Sequence, residues 1–321
     1  VLGLADAEYD HLRPELRQAL TEYYKVGDLH HYDELLRALG YFTHRYGKLD
    51  RLDSLNEYWL QTEARLREDF NIFGLRPAEM DRFKRKSVMK QFFQKAGLRV
   101  ARGRVCKSAA EVQDFIDEVG YPVVAKPDIG VGAAKTYKLT NDEELKHYIA
   151  TKPPVDYIVE EFIPGRIVTY DGLTDLKGQV VLDSSLEYSK GVMEAVNEDS
   201  DIYYYMVRQI PEDLREAGKK VVETFGIRER FFHFEFFRLE DGSLVALEVN
   251  VRPPGGLTVD MFNYANDMDI FREWANLLTY GEVREKPTYP YFATYVGRKD
   301  HIPYRRSHDQ VLAEFGPLIA H

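Results

Sequence analysis

A chain of 321 residues can form two or three packed domains. Its 44% apolar and 30% charged content excludes a disordered polymer, and a net charge of −10 argues against a dedicated nucleic-acid surface. One cysteine, Cys106, excludes an intrachain disulfide and reads as a small buried hydrophobe. No apolar run approaches the roughly 18 residues of a membrane span and no signal-peptide pattern is visible, so a cytoplasmic protein that meets neither membrane nor nucleic acid is expected.

The chain opens on VLGLAD, a strand running into a polar turn, which predicts that a preceding strand lies outside this numbering. Leu12, Leu16, Leu20 and Tyr23 recur at helical spacing, and Tyr24 to Leu29 is extended. Leu35, Leu36, Leu39, Phe42 and Tyr46 mark a second helix, then Leu49 to Leu52 a third strand before a helix starting near Ser54. Such alternation implies a parallel sheet with crossover helices. Asp6 reads as a turn or cap residue, or as a ribose-binding acid lacking a glycine fingerprint before it. Glu57 reads as a first-turn helix acid, or as a contact at the carboxyl end of the sheet.

Residues 78 to 96 form a basic amphipathic helix ended by Gly97. Val123 to Pro127 is an apolar strand interrupted by Lys126, an ammonium that must find an anion or a way to water. The loop 128 to 134, DIGVGAA, follows it. Its small residues let successive N–H groups point at phosphate oxygens, or it is a plain hairpin connection.

Asp142 to Ile149 is a predicted helix and Tyr157 to Ile163 a strand ending in a Pro-Gly turn. Val168 to Thr174 and Gly178 to Ser184 are antiparallel strands around Leu176-Lys177-Gly178. Residues 185 to 205 are weakly patterned and read as a loop over a site or as a surface excursion. Leu214 to Phe225 is a helix; Val259 to Leu278 is another, with a break at Asp267 to Asp269; Tyr291 to Val296 is a strand.

Between these helices lies FFHFEFFRLEDGSLVALEVNVRPPGG, residues 231 to 256, with Asp241-Gly242 as the chain's strongest hairpin signal. A turn centred between Asp241 and Gly242 puts Glu235 directly opposite Glu248, their Cβ atoms about 5 Å apart. A bulge at Gly242 would slip that register by one residue. Alternation brings His233, Asn250 and Arg252 to the same face. Hard oxygen donors with a guanidinium suit Mg²⁺ or Mn²⁺; the alternative is a hairpin whose carboxylates face water.

Lys86, Lys126, the loop 128 to 134, the run EEFIPG and the Glu235/Glu248/Asn250/Arg252 hairpin, in this order, resemble the ATP-grasp superfamily. The C-terminal half looks most like its carboxylate-amine ligase and carbamoyl-phosphate synthetase branch. The resemblance implies an α/β (α+β grasp) fold: a Rossmann-like domain over 1–77, an ATP-grasp N-terminal lobe over 78–160 and a C-terminal lobe with antiparallel strands and the metal site over 161–321. It implies ATP and Mg²⁺ (or Mn²⁺) as cofactors. Lys86, Lys126 and the flap residues Gly130, Gly132 and Ala133 would hold the phosphates, and Glu160, Glu161, Phe162 and Ile163 the adenine. Glu235, Glu248 and Asn250 would bind metal, and Arg252, with Lys126, would steady the transferred phosphoryl group.

Many members of the superfamily hold the ribose with a glutamate where this chain has Ile167. The expected activity is a ligase that activates a small carboxylate as an acyl phosphate for attack by an amine, in a protein that admits a homodimer. A non-catalytic nucleotide-binding module, a carboxylase and a kinase are the alternatives on the same scaffold. Lys190, Arg208 and Tyr203 to Tyr205 are candidates for the acceptor pocket.

Overall fold

The computed structural model describes residues 1–130, 135–191 and 199–320. The chain divides into two compact units, Val1–Met80 and Asp81–His321.

In the first unit, β1 (Leu2–Ala5) and β2 (Glu22–Lys25) pair in parallel, Leu2 against Glu22 and Ala5 against Lys25. The helices Tyr32–Tyr46 and Leu60–Asp69 follow. Leu35, Ala38, Leu39 and Leu66 from these helices pack with Val26 and Ile72 as the core. Leu49 to Leu52 is not a strand. Leu49 and Leu52 instead lie against that core from an irregular segment, so their apolar spacing reports burial and not a ladder. With two strands among the described residues, this unit does not display the expected Rossmann-like sheet. Asp6 sits exposed in the bend after β1, and Glu57 is buried at the start of a 3₁₀ turn, Glu57–Trp59.

Among the described residues, the second unit holds two antiparallel sheets. The smaller contains β3 (Gly103–Cys106), β4 (Val123–Pro127), β5 (Tyr137–Leu139) and β6 (Tyr157–Glu161) in the order β3-β6-β4-β5. The helices Ala109–Val119 and Asp142–Thr151 supply Val112, Phe115, Ile116, Leu145 and Tyr148 to its core, where Cys106 is also buried. Gly103 permits the close approach of β3 to β6: a Cβ there would stand 2.8 Å from Glu160 Cγ and 2.9 Å from the Val159 carbonyl.

Among the described residues, the larger sheet has seven strands: β7 (Arg166–Thr174), β8 (Val180–Ser184), β9 (Leu186–Tyr188), β10 (Tyr203–Met206), β11 (Arg230–Arg238), β12 (Leu244–Asn250) and β13 (Thr294–Val296). Its order is β12-β11-β7-β9-β10-β13, with β8 also on β7. Of the stretch 185–205, residues 192–198 lie outside the described residues, and the described parts on either side contribute the paired strands β9 and β10. The helix Glu212–Phe225 precedes β11, and Thr258–Asn266 and Ile270–Tyr280 follow β12, separated by the expected break. Among the described residues, no helix is long and apolar enough to cross a membrane.

Candidate active site

The predicted helix over 78–96 is interrupted at Arg85, whose backbone bridges Ile129 in the loop after β4. The chain resumes as the helix Lys86–Lys95, whose first N–H groups need acceptors. Asp128 provides them from across the fold. Its buried carboxylate accepts from the Ser87 N–H (2.8 Å), the Ser87 hydroxyl (2.9 Å) and Arg85 Nη1 (3.0 Å), and its carbonyl accepts from the Lys86 N–H (2.8 Å). Lys86 is thereby fixed at a helix start, its Nζ donating to the Gly130 carbonyl at 3.0 Å and lying 3.4 Å from Glu248 Oε1.

One turn along the same helix, Lys90 reaches Glu160 Oε1 at 2.6 Å and the Ala101 carbonyl at 2.7 Å. Lys126, from β4, holds the other Glu160 oxygen at 2.7 Å. All three side chains are no more than 13% exposed. Burial alone would raise the Glu160 carboxyl, but the two ammonium groups hold it below the usual carboxylate range. Burial pulls Lys126 down, and Glu160 together with Glu248 and Glu235 outweighs it, leaving that ammonium above its ordinary value; for Lys90 burial wins, and its value is lowered.

Glu161 turns the other way, its carboxylate paired with Arg102 Nε at 2.8 Å. The Glu161 N–H donates to the Arg102 carbonyl at 2.9 Å, as a hydrogen-bonded antiparallel pair should. The return bond is diverted: the Arg102 N–H donates to Glu161 Oε1 at 2.8 Å and not to the Glu161 carbonyl.

The hairpin β11–β12 brings Glu235 directly opposite Glu248 and His233 opposite Asn250. The register slips by one residue between Phe236 and Glu235, because Phe236 pairs with Ala246 and leaves Leu247 as a bulge. Beside the pair, on the same face of the sheet, runs a buried polar chain. The Leu186 N–H donates to Thr169 Oγ1 (3.0 Å), Thr169 Oγ1 to Asp171 Oδ2 (2.5 Å), and His233 Nδ1 meets Asp171 Oδ1 (2.5 Å), while His233 Nε2 lies 3.4 Å from Glu235 Oε1. Burial disfavours a charged imidazole, yet the two carboxylates raise His233 to about 10. Burial would likewise raise Glu235, and the His233 imidazolium brings it below the usual range.

These groups converge on one cavity of about 660 Å³ within the second unit. Lys86, Lys126, Glu235, Glu248, Asn250 and Arg252 line it together, as do Glu160, Glu161, Phe162 and Ile163. Gly130 reaches this set through its bond to Lys86; Gly132 and Ala133 lie outside the described residues. Ile167 also lines the cavity. The acceptor candidates fare less well. Lys190 binds Ser200 Oγ (2.8 Å) and Arg208 the Tyr289 carbonyl (2.9 Å), and neither is among the described residues of the lining; of the three consecutive tyrosines, Tyr204 alone is.

Lys90, Tyr188 and Tyr295 line the cavity without having been singled out from the sequence. Lys90 had a signal, since it stands four residues after Lys86 and shares its helix face. The tyrosines had none, because long-range strand pairing brings them in.

Among the described residues, no group of three or more His, Cys, Asp and Glu side chains is arranged to hold a metal ion. The expected set has two carboxylates and the amide of Asn250. Hard oxygen donors in that number fit Mg²⁺, which takes one or two carboxylates and completes its shell with water and substrate phosphates.

Residues 119–260 match the family model of the ATP-grasp domain. The chain carries an ATP-grasp domain. It is 28% identical over 122 residues to the chloroplastic arginine-specific carbamoyl phosphate synthase large chain of Oryza sativa subsp. japonica, a match covering 36% of this chain and 10% of that one. It is 26% identical over 175 residues to D-alanine–D-alanine ligase B of Clostridium perfringens, covering 52% of this chain and 57% of the ligase. The chain therefore spans less than two thirds of either curated relative. The solved L-amino acid ligase of Bacillus licheniformis aligns with a TM-score of 0.68 at 18% identity, covering 88% of this chain and 77% of that one, a likeness of fold. The antiparallel sheets described above are thus the ATP-grasp fold.

Proposed function

We propose that this protein is an ATP- and Mg²⁺-dependent ligase that activates a small carboxylic acid as an acyl phosphate and passes the acyl group to an amine. The observation that carries this reading is the convergence of Lys86, Lys126, Glu235, Glu248, Asn250 and Arg252 on one cavity. In the reaction, a carboxylate oxygen bonds to the γ-phosphorus as the bond to the ADP oxygen breaks. The amine then bonds to the acyl carbon, phosphate leaves, and the nitrogen proton passes to water. Such chemistry needs positioning and charge neutralisation more than a protein nucleophile.

Lys86 and Lys126 offer ammonium groups to phosphate oxygens, and Arg252 offers a planar fork to the transferred phosphoryl group. Glu160 keeps Lys126 charged and aimed. On the same lining, the Glu161 carbonyl, left out of the ladder exchange with Arg102, suits a base amino group. Mg²⁺ held by Glu235, Glu248 and Asn250 would supply neutralisation of phosphate charge. His233 and Lys86 each hold one oxygen of these carboxylates in place. The proposed arrangement treats 78–160 and 161–321 as the lobes of the grasp and 1–77 as a preceding domain, in a cytoplasmic protein.

The test is Mg²⁺-dependent ADP release with pooled carboxylic acids and amines. A ligase releases ADP when a pool supplies both substrates, and Glu248→Gln abolishes that release. A second reading has a specific support in Ile167, an apolar residue on the cavity wall where many superfamily members hold ribose: a regulatory module would bind ATP saturably and release no ADP with any pool.

A further inference from the structure

One wall of the cavity is a row of three stacked tyrosines. β9, β10 and β13 are neighbours, and their register sets Tyr204 opposite both Tyr188 and Tyr295. Directly opposed residues share a face. The Tyr188 and Tyr204 rings stack at 4.9 Å between centroids with planes 28° apart, and those of Tyr204 and Tyr295 at 4.7 Å and 22°. Alternation sends Tyr203 to the other face, where it is 52% exposed. The three stacked rings line the cavity, whereas Tyr203 and Tyr205 are not among its described lining residues.

The residues around the row leave space in front of it. Gly255 and Gly256 line the cavity with no side chains, and a Cβ on Gly256 would stand 3.4 Å from the Tyr204 hydroxyl. Ile202 and Leu257 add apolar surface. One end of the row is marked electrostatically: Tyr188 feels the carboxylates of Asp171 and Glu235 and the guanidinium of Arg252, with burial as the largest influence on its hydroxyl. Tyr204 and Tyr295 extend the row from there. Rings stacked on one another turn their edges to the cavity, and an aryl face packs favourably on ring edges, so a row of edges near a guanidinium is complementary to a molecule with a carboxylate at one end and a flat apolar body behind it.

We infer that the acid activated by this protein carries an aryl or similarly broad planar apolar group, whose face lies across the ring edges of Tyr188, Tyr204 and Tyr295 while its carboxylate lies toward Arg252. This rests on the ligase reading and names its substrate class. Neither Lys190 nor Arg208 takes part.

The test measures ADP release at fixed ATP, Mg²⁺ and amine pool, with phenylacetate, 3-phenylpropionate and phenylalanine compared against acetate, glycine and succinate. Aryl acids are expected to give kcat/KM at least about tenfold above the small acids. Tyr204→Ala is expected to raise KM for the aryl acid by about tenfold, and Tyr204→Phe, which keeps the ring, to restore most of the loss. ATP affinity measured on each variant reports whether the protein is folded, and Tyr295→Leu at the far end of the row provides an independent variant. Release driven by small acids and not by aryl acids overturns the inference while leaving the ligase intact. Release that prefers aryl acids but is unchanged in Tyr204→Ala and Tyr295→Leu overturns the assigned wall. ATP binding without release from any acid removes the ligase reading, and the inference falls with it.

Discussion

Glu235 faces Glu248 because two irregularities of the hairpin cancel. The Gly242 N–H donates to the Leu239 carbonyl (3.0 Å) and the Leu239 N–H to the Ser243 carbonyl (3.0 Å), closing a three-residue loop with Gly242 at φ 83°. Continued without interruption, that register would set Glu235 against Leu247. The bulge at Leu247 moves the partner on by one and brings the second carboxylate onto the first.

Gly242 is therefore a determinant of the site from a distance. A Cβ there would meet nothing within 4 Å, so the cost of Gly242→Ala is conformational, about 1–2 kcal/mol. Gly242→Asn, which tolerates the left-handed region better, should cost less. Urea unfolding of the three proteins checks the order: a midpoint for Gly242→Ala equal to wild type would show that the turn relaxes.

The Lys90–Glu160–Lys126 cluster carries a pH signature. Glu160 titrates below its usual range in the folded protein, while its unfolded value is about 4.3. A depressed carboxyl contributes stability that is fully present above the unfolded value and is lost as pH falls through the folded one. Glu160→Gln should thus lower thermal stability at pH 7, by an amount of about 3–5 kcal/mol if both lysines stay charged and uncompensated. The variant should also flatten the decline in stability below about pH 4.3. Calorimetric melting from pH 3 to pH 7 compares the slopes; parallel curves would deny Glu160 this role.

The hairpin was legible in the sequence because Asp241-Gly242 sits between alternating runs, yet its register came right for an incomplete reason. A turn centred on two residues and a three-residue loop plus a bulge lead to the same Glu235–Glu248 pair. The helix break at Arg85 was not legible. No glycine or proline marks it, and the cause, Asp128, lies 43 residues away from Arg85. Leu49 and Leu52 misled for the opposite reason, since an apolar pair packs equally well from a strand or from an irregular segment. Lys90 could have been read from its spacing to Lys86, whereas the row of Tyr188, Tyr204 and Tyr295 exists only once three distant strands are aligned.

Asp128 is expected to matter for stability more than its place in a loop suggests. Removing its carboxylate strips acceptors from the Ser87 N–H and hydroxyl at a helix start and from Arg85. Asp128→Ala should cost about 2–3 kcal/mol, and Asp128→Asn, which retains one acceptor oxygen, markedly less. Guanidinium unfolding midpoints decide this; equal losses for the two variants would shift the role from hydrogen bonding to charge.

Lys86 and Lys126 reach the cavity from different elements, a helix start and a strand, and each has its own internal anion, Glu248 for one and Glu160 for the other. A nucleotide phosphate must compete with these carboxylates, so the two lysines should contribute separately to binding. Lys86→Met and Lys126→Met are each expected to raise the Kd for MgADP roughly ten- to hundredfold, the range for losing a hydrogen bond to a charged group. Lys126→Met should have a second consequence that Lys86→Met lacks: it leaves Glu160 with Lys90 alone, so the variant should also melt at a lower temperature. Titration calorimetry with MgADP and melting of the ligand-free proteins separate the two effects. A change in Kd below threefold for both variants would remove these lysines from the phosphate site.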